Sequence, residues 1–311
     1  MVGFKKLDYK KEGWDKRMEK VSIKHKFFKV IPKPLATYIK HILWKQEYKK
    51  SNLMKLDIQK SGVENGIPFV VLNNLFFFGH RNTEKDTFFG KLSQGDFDKR
   101  ATGIALRANL FILEFSDYIK QYVPKPGDVI VDAGANIGVT VVLFAKAVGP
   151  TGKVIAIEPE EQNILLMKKN IDKHKLDNVV IVPKGLYKQK EKKKLYLALD
   201  SGEHGLYKNN RVRSHGSIKI ETDALDNILD ELGIDKVDFV KMDIEGAEID
   251  AIRGMETVLS KGTDLVIAAY HPDYNNNNLP TSVKLESILK NKKYNVKVSA
   301  ENGFLYGVKG K

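Results

Sequence analysis

Cysteine is absent from the 311-residue chain. This absence excludes disulfides, a thiol nucleophile and a zinc site built on cysteine sulfur. Long apolar runs are also missing: the most apolar stretch, IPFVVLNNLFFF (67–78), is interrupted by Asn73 and Asn74, well short of the roughly 18 apolar residues of a membrane span. The N-terminal MVGFKKLDYKKEGWDK lacks the apolar core of a signal peptide. We therefore expect a cytoplasmic protein without a transmembrane segment.

Positive charge is concentrated in the first part of the chain. The net charge is +13, and residues 1–120 hold 24 of the 52 Lys and Arg and 13 of the 39 Asp and Glu, a net of +11. Such a region is usually a solvated face, but it can also bind nucleic acid, an anionic membrane surface or an acidic substrate. We predict that residues 1–120 form a basic N-terminal extension of helices and a few strands, with an amphipathic helix at 35–50 and another helix at 105–123.

A second domain is predicted over residues 121–311, after the linker-like PKPG (124–127). Strand and helix patterns alternate there, which predicts an α/β fold with a mostly parallel sheet and one antiparallel strand near an edge. A lysine-rich stretch, 184–219, is expected to form hairpins. The predicted strands are 128–134, 153–159, 178–184, 237–243, 264–271, 294–300 and 304–310, and the predicted helices are 138–148, 160–174, 223–232, 246–260 and 282–292.

The loop VDAGANIGVT (131–140) follows the first predicted strand of this domain. A dinucleotide loop needs glycines in the pattern G-x-G-x-x-G, and those places hold Gly134, Asn136 and Val139. Two of the three glycines are missing, so the loop is a poor cradle for a pyrophosphate. An acidic residue before a loop without a phosphate cradle suits a cofactor with a cationic amino-acid end, such as S-adenosylmethionine.

Each polar residue around this loop has an expected task toward such a cofactor. The backbone N–H groups of 134–138 would bind its carboxylate, and Asp132 would attract its ammonium directly or through water. Asn136 would hydrogen-bond at the same end, and Glu158, at the end of the second strand, would accept the ribose hydroxyls. The predicted cofactor-binding residues are Asp132, Gly134, Asn136, Gly138, Glu158 and Asp243.

The stretch VDFVKMDIEGAEIDAIRGM (237–255) is the second dense group of polar residues. Asp243 ends a predicted strand beside the place where the reactive end of the cofactor would lie. Glu245 and Glu248 follow it, and they have an alternative interpretation as acids in the first turn of a helix, where they complement the helix dipole.

Together these stretches resemble the FkbM-type methyltransferases, a branch of the class I S-adenosylmethionine-dependent fold. The resemblance covers roughly residues 120–311 and is carried by PGDVIVDAGANIGVTVVLFAKAVGPTGKVIAIEPE, ETDALDNILDELGIDKVDFVKMDIEGAEIDAIRGM and the terminal NVKV and FLYGV. It implies a Rossmann-like, seven-stranded sheet and methyl transfer, usually to a hydroxyl oxygen of a sugar or natural product. It also implies cofactor roles for the residues of the loop and Glu158, and active-site roles for Asp243 and Glu245.

Two positions depart from the family pattern. Lys184 and Gly185 stand where many class I enzymes carry an acid or polar residue for the adenine amine. His271 stands where family members often have a carboxylate, and by position it is the best candidate for the general base. Asp243 could orient the acceptor or act as base itself, and His204 is a lesser candidate in a glycine-flanked loop.

The predicted catalytic residues are therefore Asp243, His271 and Glu245. The same three could hold a cation, but no further ligand is visible in the sequence, so no metal is predicted. The leading function is methyl transfer to a hydroxyl of a sugar, glycan or other small molecule. The alternatives are an RNA methyltransferase that uses the basic N-terminal region, and a non-catalytic binding protein on the same fold.

Overall fold

The computed structural model describes residues 58–65, 67–72, 75–80, 114–198, 201–208, 214–276 and 278–310. The predicted helix at 35–50 lies outside these ranges. The strands are β1 (Ile58–Glu64), β2 (Ile67–Leu72), β3 (Leu75–Phe78), β4 (Val129–Ala133), β5 (Lys153–Ile157), β6 (Val179–Val182), β7 (Gly185–Leu186), β8 (Glu191–Ala198), β9 (Ser214–Asp223), β10 (Phe239–Met242), β11 (Asp264–Ile267), β12 (Pro272–Asp273), β13 (Leu279–Pro280), β14 (Tyr294–Val298) and β15 (Leu305–Lys309). The α-helices are α1 (Val139–Val148), α2 (Glu161–Lys173), α3 (Leu225–Glu231), α4 (Glu248–Arg253), α5 (Glu256–Ser260) and α6 (Ser282–Asn291).

Seven strands form the central sheet in the order β14-β15-β11-β10-β4-β5-β6. Strands β11, β10, β4, β5 and β6 pair in parallel, and β15 pairs antiparallel with both β11 and β14. Strand β15 is thus the single reversed strand and lies one place in from the edge. The predicted α/β fold, with a seven-stranded, mostly parallel sheet, is confirmed.

Both faces of the sheet are covered, as the near-continuous apolar runs of its strands require. Successive residues of β4 face opposite sides: Val131 belongs to one buried apolar cluster and Ile130 to the other. Helix α1 is apolar on nearly every side and is buried, whereas α2 is amphipathic and shows lysines to solvent. The rigid sheet therefore fixes the strand ends at which the polar loops emerge.

The strands β1, β2 and β3 form a separate antiparallel sheet that packs against α1 and α2. Phe77 and Phe78 are buried against apolar side chains of these helices. The side chain of Asn170 joins the two parts: its Oδ1 accepts the N–H of Phe78 at 2.6 Å, and its Nδ2 donates to the carbonyl of Ile137 at 2.8 Å. This small sheet thereby supports the loop that precedes α1.

The predicted helix at 246–260 is two helices, α4 and α5, that meet at Gly254. A side chain at Gly254 would place Cβ 2.6 Å from the carbonyl oxygen of Tyr187 and 2.9 Å from Cβ of Ala224. The helix breaks where the chain presses against these neighbours. The predicted helix at 105–123 is described only from residue 114, and it ends at 118. Within the described ranges, no helix is long and apolar enough to cross a membrane.

Candidate active site

A cleft of about 650 Å³, counting its open mouth, lies at the carboxyl ends of β4, β5 and β10. Open α/β sheets bind their ligands at this edge. Among the residues that line the cleft are Gly134, Asn136, Glu158, His204, Asp243 and Glu245. Segments that are more than a hundred residues apart in the sequence therefore meet around one space.

The loop before α1 owes its path to two glycines with positive φ. Gly134 has φ 77°, and a Cβ there would lie 1.8 Å from the carbonyl oxygen of Asp243, so only glycine allows the two loops to touch. Gly138 has φ 82°, and a Cβ there would lie 2.7 Å from Cγ of Met167 in α2. Gly138 therefore allows helix packing, whereas Gly134 brings the loop against the end of β10.

Glu158 closes the same loop from the end of β5. Its Oε2 accepts the N–H of Asn136 at 2.9 Å, and its Oε1 accepts the N–H of Glu160 at 3.0 Å and the Nδ2 of Asn163 at 3.2 Å. Burial raises the pKa of Glu158 to about 7, although these three donors oppose the rise. The carboxylate holds the loop and also lines the cleft.

Asp132 lies beneath the loop and is fully buried. Its Oδ2 accepts the hydroxyl of Thr140 at 2.5 Å, and its Oδ1 forms an ion pair with Nζ of Lys241 at 2.8 Å. Burial lowers the pKa of Lys241, but Asp132 and Asp243 outweigh this effect and keep it above its usual value. Both oxygens of Asp132 thus face protein groups, and Asp132 acts on the loop from below.

The other end of the cleft gathers two carboxylates and an imidazole. Nε2 of His271 lies 3.6 Å from Oδ1 of Asp243 and 3.4 Å from Oε1 of Glu245. His271 is 4% exposed, and within the described structure its Nε2 has no hydrogen-bond partner. One ligand atom from each of these three residues lies within 4.8 Å of the other two, so the group could hold a metal ion.

A buried glutamate orients this imidazole. Oε1 of Glu248 is 2.7 Å from Nδ1 of His271 and also accepts the N–H of Gly246 at 3.2 Å. Burial alone would lower the pKa of His271, but Glu245 and Glu248 raise it well above its ordinary value. Nε2 must carry no proton before the ring can act as a base. Glu248 lies in the first turn of α4 and serves both helix and imidazole.

One neighbour of the cleft, Tyr118, escaped the sequence analysis, and a second belongs to the glycine-flanked loop that holds His204. Tyr118, which is 1% exposed, donates its hydroxyl to Oδ2 of Asp243 at 3.1 Å. The carbonyl of Ser201 accepts Nδ2 of Asn136 at 2.9 Å, so the segment 201–206 closes over the loop. Tyr118 comes from the predicted extension, and only its place in an amphipathic pattern hinted that it is buried.

Lys184 and Gly185, which depart from the family pattern, both contact neighbouring residues of the protein. The ammonium of Lys184 pairs with Asp223 at 3.0 Å and with Glu231 at 2.7 Å. These two carboxylates raise its pKa, although burial opposes the rise. Gly185 begins β7, and a Cβ there would lie 2.9 Å from Cδ1 of Ile220. The pairing of Lys184 thus has a structural explanation that needs no ligand.

The sheet order, the single reversed strand and the cleft at the strand ends define a class I S-adenosylmethionine-dependent methyltransferase fold. Residues 132–296, more than half of the chain, match the methyltransferase FkbM domain. The chain belongs to this family, as the sequence analysis predicted, and the cofactor of the family is S-adenosylmethionine.

Two curated relatives are similar over part of their length. Methyltransferase 1 of Beauveria bassiana is 27% identical over 161 residues, which is 46% of this chain and 64% of that protein. The 2-O-methyltransferase NoeI of Sinorhizobium fredii is 27% identical over 155 residues, 46% of this chain and 63% of that protein. The chain thus spans less than two thirds of each relative. Among solved structures, fibrillarin of Aeropyrum pernix with bound S-adenosyl-L-methionine aligns over 81% of this chain and 100% of its own, with 13% identity and a TM-score of 0.39.

Proposed function

We propose that the protein transfers a methyl group from S-adenosylmethionine to a hydroxyl oxygen of a sugar, glycan or other small molecule. The observation that carries the proposal is the group formed by Asp243, Glu245 and His271 at one end of the cleft. Carboxylates accept hydrogen bonds from hydroxyls, and a polyhydroxylated acceptor offers several of them. The name of the partial relative NoeI, a 2-O-methyltransferase, agrees with this choice of atom.

The residues at the other end of the cleft fit the cofactor. Asn136 and Glu158 line the cleft, and the Oδ1 of Asn136 is buried without a hydrogen-bond partner in the described structure, so it is available to accept from a ligand. When bound, S-adenosylmethionine supplies a methyl group made electrophilic by its sulfonium. The loop at Gly134 and the carboxylate of Glu158 would hold its amino-acid and ribose parts beside Asp243.

The chain itself has two tasks in such a reaction, alignment of the acceptor and removal of its proton. The carboxylates of Asp243 and Glu245 would accept hydrogen bonds from acceptor hydroxyls and so turn one oxygen toward the methyl group. Tyr118 fixes the rotamer of Asp243 from below, and Glu248 fixes the ring of His271. The acceptor proton would pass to a carboxylate oxygen of Asp243 or Glu245.

An acceptor screen with methyl-labelled S-adenosylmethionine tests the proposal. The full chain is incubated with sugars, glycans, nucleosides and RNA, and the label is located by mass spectrometry. We expect label on a hydroxyl oxygen of a sugar or glycan, and loss of that label in the variant Asp243→Asn. Label on RNA that disappears when residues 1–57 are removed would replace this proposal with the RNA methyltransferase. Failure of the chain to bind S-adenosylmethionine in calorimetry would refute both enzymes.

A further inference from the structure

We propose that Asp243, Glu245 and His271 form a site for one divalent cation, at the end of the cleft where the acceptor would bind. The cation site itself does not depend on the proposed function. Only the contact between the cation and the acceptor oxygens rests on that function. The three ligand atoms come from the turn after β10 and from the segment between β11 and β12, and they lie within 4.8 Å of one another.

The distances between the proposed ligand atoms suit a small cation if these atoms move a few tenths of an ångström closer together. Two neighbouring ligands of a six-coordinate ion with bonds of about 2.1 Å stand about 3 Å apart. Here Nε2 of His271 is 3.4 Å from Glu245 and 3.6 Å from Asp243. The two carboxylates are partly open to the cleft, with 15% of Asp243 and 21% of Glu245 exposed, so an ion could reach them from solvent.

The unpartnered nitrogen is the observation that separates this group from an ordinary cluster of acids. Nε2 of His271 is buried, points toward two carboxylate oxygens and has no hydrogen-bond partner in the described residues. A buried polar atom without a partner is costly, and it calls for a ligand that the protein alone does not supply. A cation between the imidazole and the carboxylates would satisfy all three groups at once.

Neighbouring residues and the backbone also fix the orientation of each proposed ligand. Nδ1 of His271 is 2.7 Å from Oε1 of Glu248, the carboxylate-histidine arrangement that orients a ring toward a metal. Oδ2 of Asp243 accepts the hydroxyl of Tyr118 at 3.1 Å, which fixes the orientation of this carboxylate. Glu245 has φ 54°, and this strained backbone turns its side chain back toward His271.

The donor set of two carboxylate oxygens and one imidazole nitrogen favours Mn²⁺. Carboxylates suit Mg²⁺ and Mn²⁺, whereas imidazole suits the transition metals, and Mn²⁺ accepts both. Three protein ligands leave about three positions of an octahedral ion open. Two neighbouring hydroxyls of one acceptor could fill two of them, so the site would select acceptors that carry a pair of adjacent hydroxyls.

Binding of Mn²⁺ is tested directly, without any acceptor. The full chain is stripped with chelator and titrated with Mn²⁺, and free ion is followed by electron paramagnetic resonance. We expect one saturable site with a Kd below about 1 mM. The variant Glu245→Gln should bind at least ten times more weakly, and Glu248→Gln about 10–100-fold more weakly, because it loosens the imidazole.

The exposed Glu286→Gln variant on α6 is the matched control and should bind as the wild type does. Circular dichroism shows whether each variant folds; Glu245 is partly exposed, so its variant carries the test if the substitution at the fully buried Glu248 disturbs the fold. No saturable binding, or equal binding by Glu245→Gln and the wild type, would overturn the site. Mn²⁺ binding without any hydroxyl methylation would support the cation site and refute the proposed function. Hydroxyl methylation without Mn²⁺ binding would support the proposed function and refute the cation site.

Discussion

Each end of the cleft has a buried polar atom without a hydrogen-bond partner in the described residues, but the two ends differ in how their carboxylates are held. At the donor end, Glu158 accepts three hydrogen bonds from protein groups, and Asp132 is enclosed by Thr140 and Lys241. At the acceptor end, three carboxylates surround the single imidazole of His271, and Nε2 of that ring has no hydrogen-bond partner among the described residues.

This difference indicates which end of the cleft is preorganised before a ligand binds. The donor end is held by internal hydrogen bonds, so it is preorganised for one cofactor. The acceptor end places three carboxylates around one imidazole, an arrangement that suits an incoming cation or hydroxyl donor.

Asp243→Asn should remove most of the turnover and leave the fold intact. The carboxylate lies between Tyr118 and His271, and loss of its charge weakens both acceptor alignment and proton removal. We expect kcat to fall by about 10²–10⁴-fold, measured with labelled donor and saturating acceptor. Asp264→Asn, at the amino end of β11, is the charge-matched control. A comparable loss in both variants would show that the effect is not local.

Gly134→Ala should destabilise the whole domain. The added Cβ meets the carbonyl of Asp243 at 1.8 Å, and φ 77° is strained for alanine. We expect a loss of about 2–4 kcal/mol in the free energy of unfolding, from overpacking and positive φ together. Gly233→Ala isolates the second cause, because it has φ 64° with nothing within 4 Å, and it should lose about 1 kcal/mol. Urea unfolding of the two variants compares them, and equal losses would refute the close contact of the two loops.

The affinity for S-adenosylmethionine should depend on pH through Glu158. Burial raises its pKa to about 7, so the carboxyl is ionised above that pH and becomes protonated below it. Since the ionised form is the better acceptor for hydroxyl donors, binding should be about ten times weaker at pH 6 than at pH 8. Calorimetry in both buffers measures this. Glu158→Gln should bind weakly at both pH values, and an unchanged pH dependence in that variant would assign it to another group.

Tyr118→Phe should have the smallest effect. It removes one hydrogen bond to Asp243 and costs about 1 kcal/mol of stability, with a fall in kcat of several-fold because Asp243 loses its support. Tyr122→Phe removes a similar bond, to Asp128 and outside the cleft, and should lose stability without loss of kcat. Equal kcat values for the two variants would mean that Tyr118 is only a packing residue.

The sequence predicted the sheet, and it brought Gly134, Asn136 and Glu158 to one cleft, because both depend on local patterns. Alternating apolar strands and helices define the sheet, and the spacing of Gly134, Asn136 and Glu158 stays within two βα units. The acceptor end was predicted only in part. Asp243 and Glu245 share one turn, and His271 follows the next strand, so strand order alone brings the three together.

What the sequence could not show are contacts that depend on tertiary packing. The ion pair between Asp132 and Lys241 spans neighbouring strands and redirects an acid that seemed free for the ligand. Tyr118 reaches Asp243 from a segment that no βα pattern connects to the site. The helix breaks at Gly254 because the chain packs there against Tyr187, which is distant in sequence. The helical periodicity of the sequence does not indicate this break.

The separation of the two ends is tested most directly by calorimetric titration of S-adenosylmethionine into Glu158→Ala and Glu245→Gln. We predict at least tenfold weaker binding for Glu158→Ala. Glu245→Gln should bind within about threefold of the wild type, although its turnover falls by about 10²-fold or more. Equal loss of binding in both variants, or normal binding by Glu158→Ala, would contradict the division of the cleft into a donor end and an acceptor end.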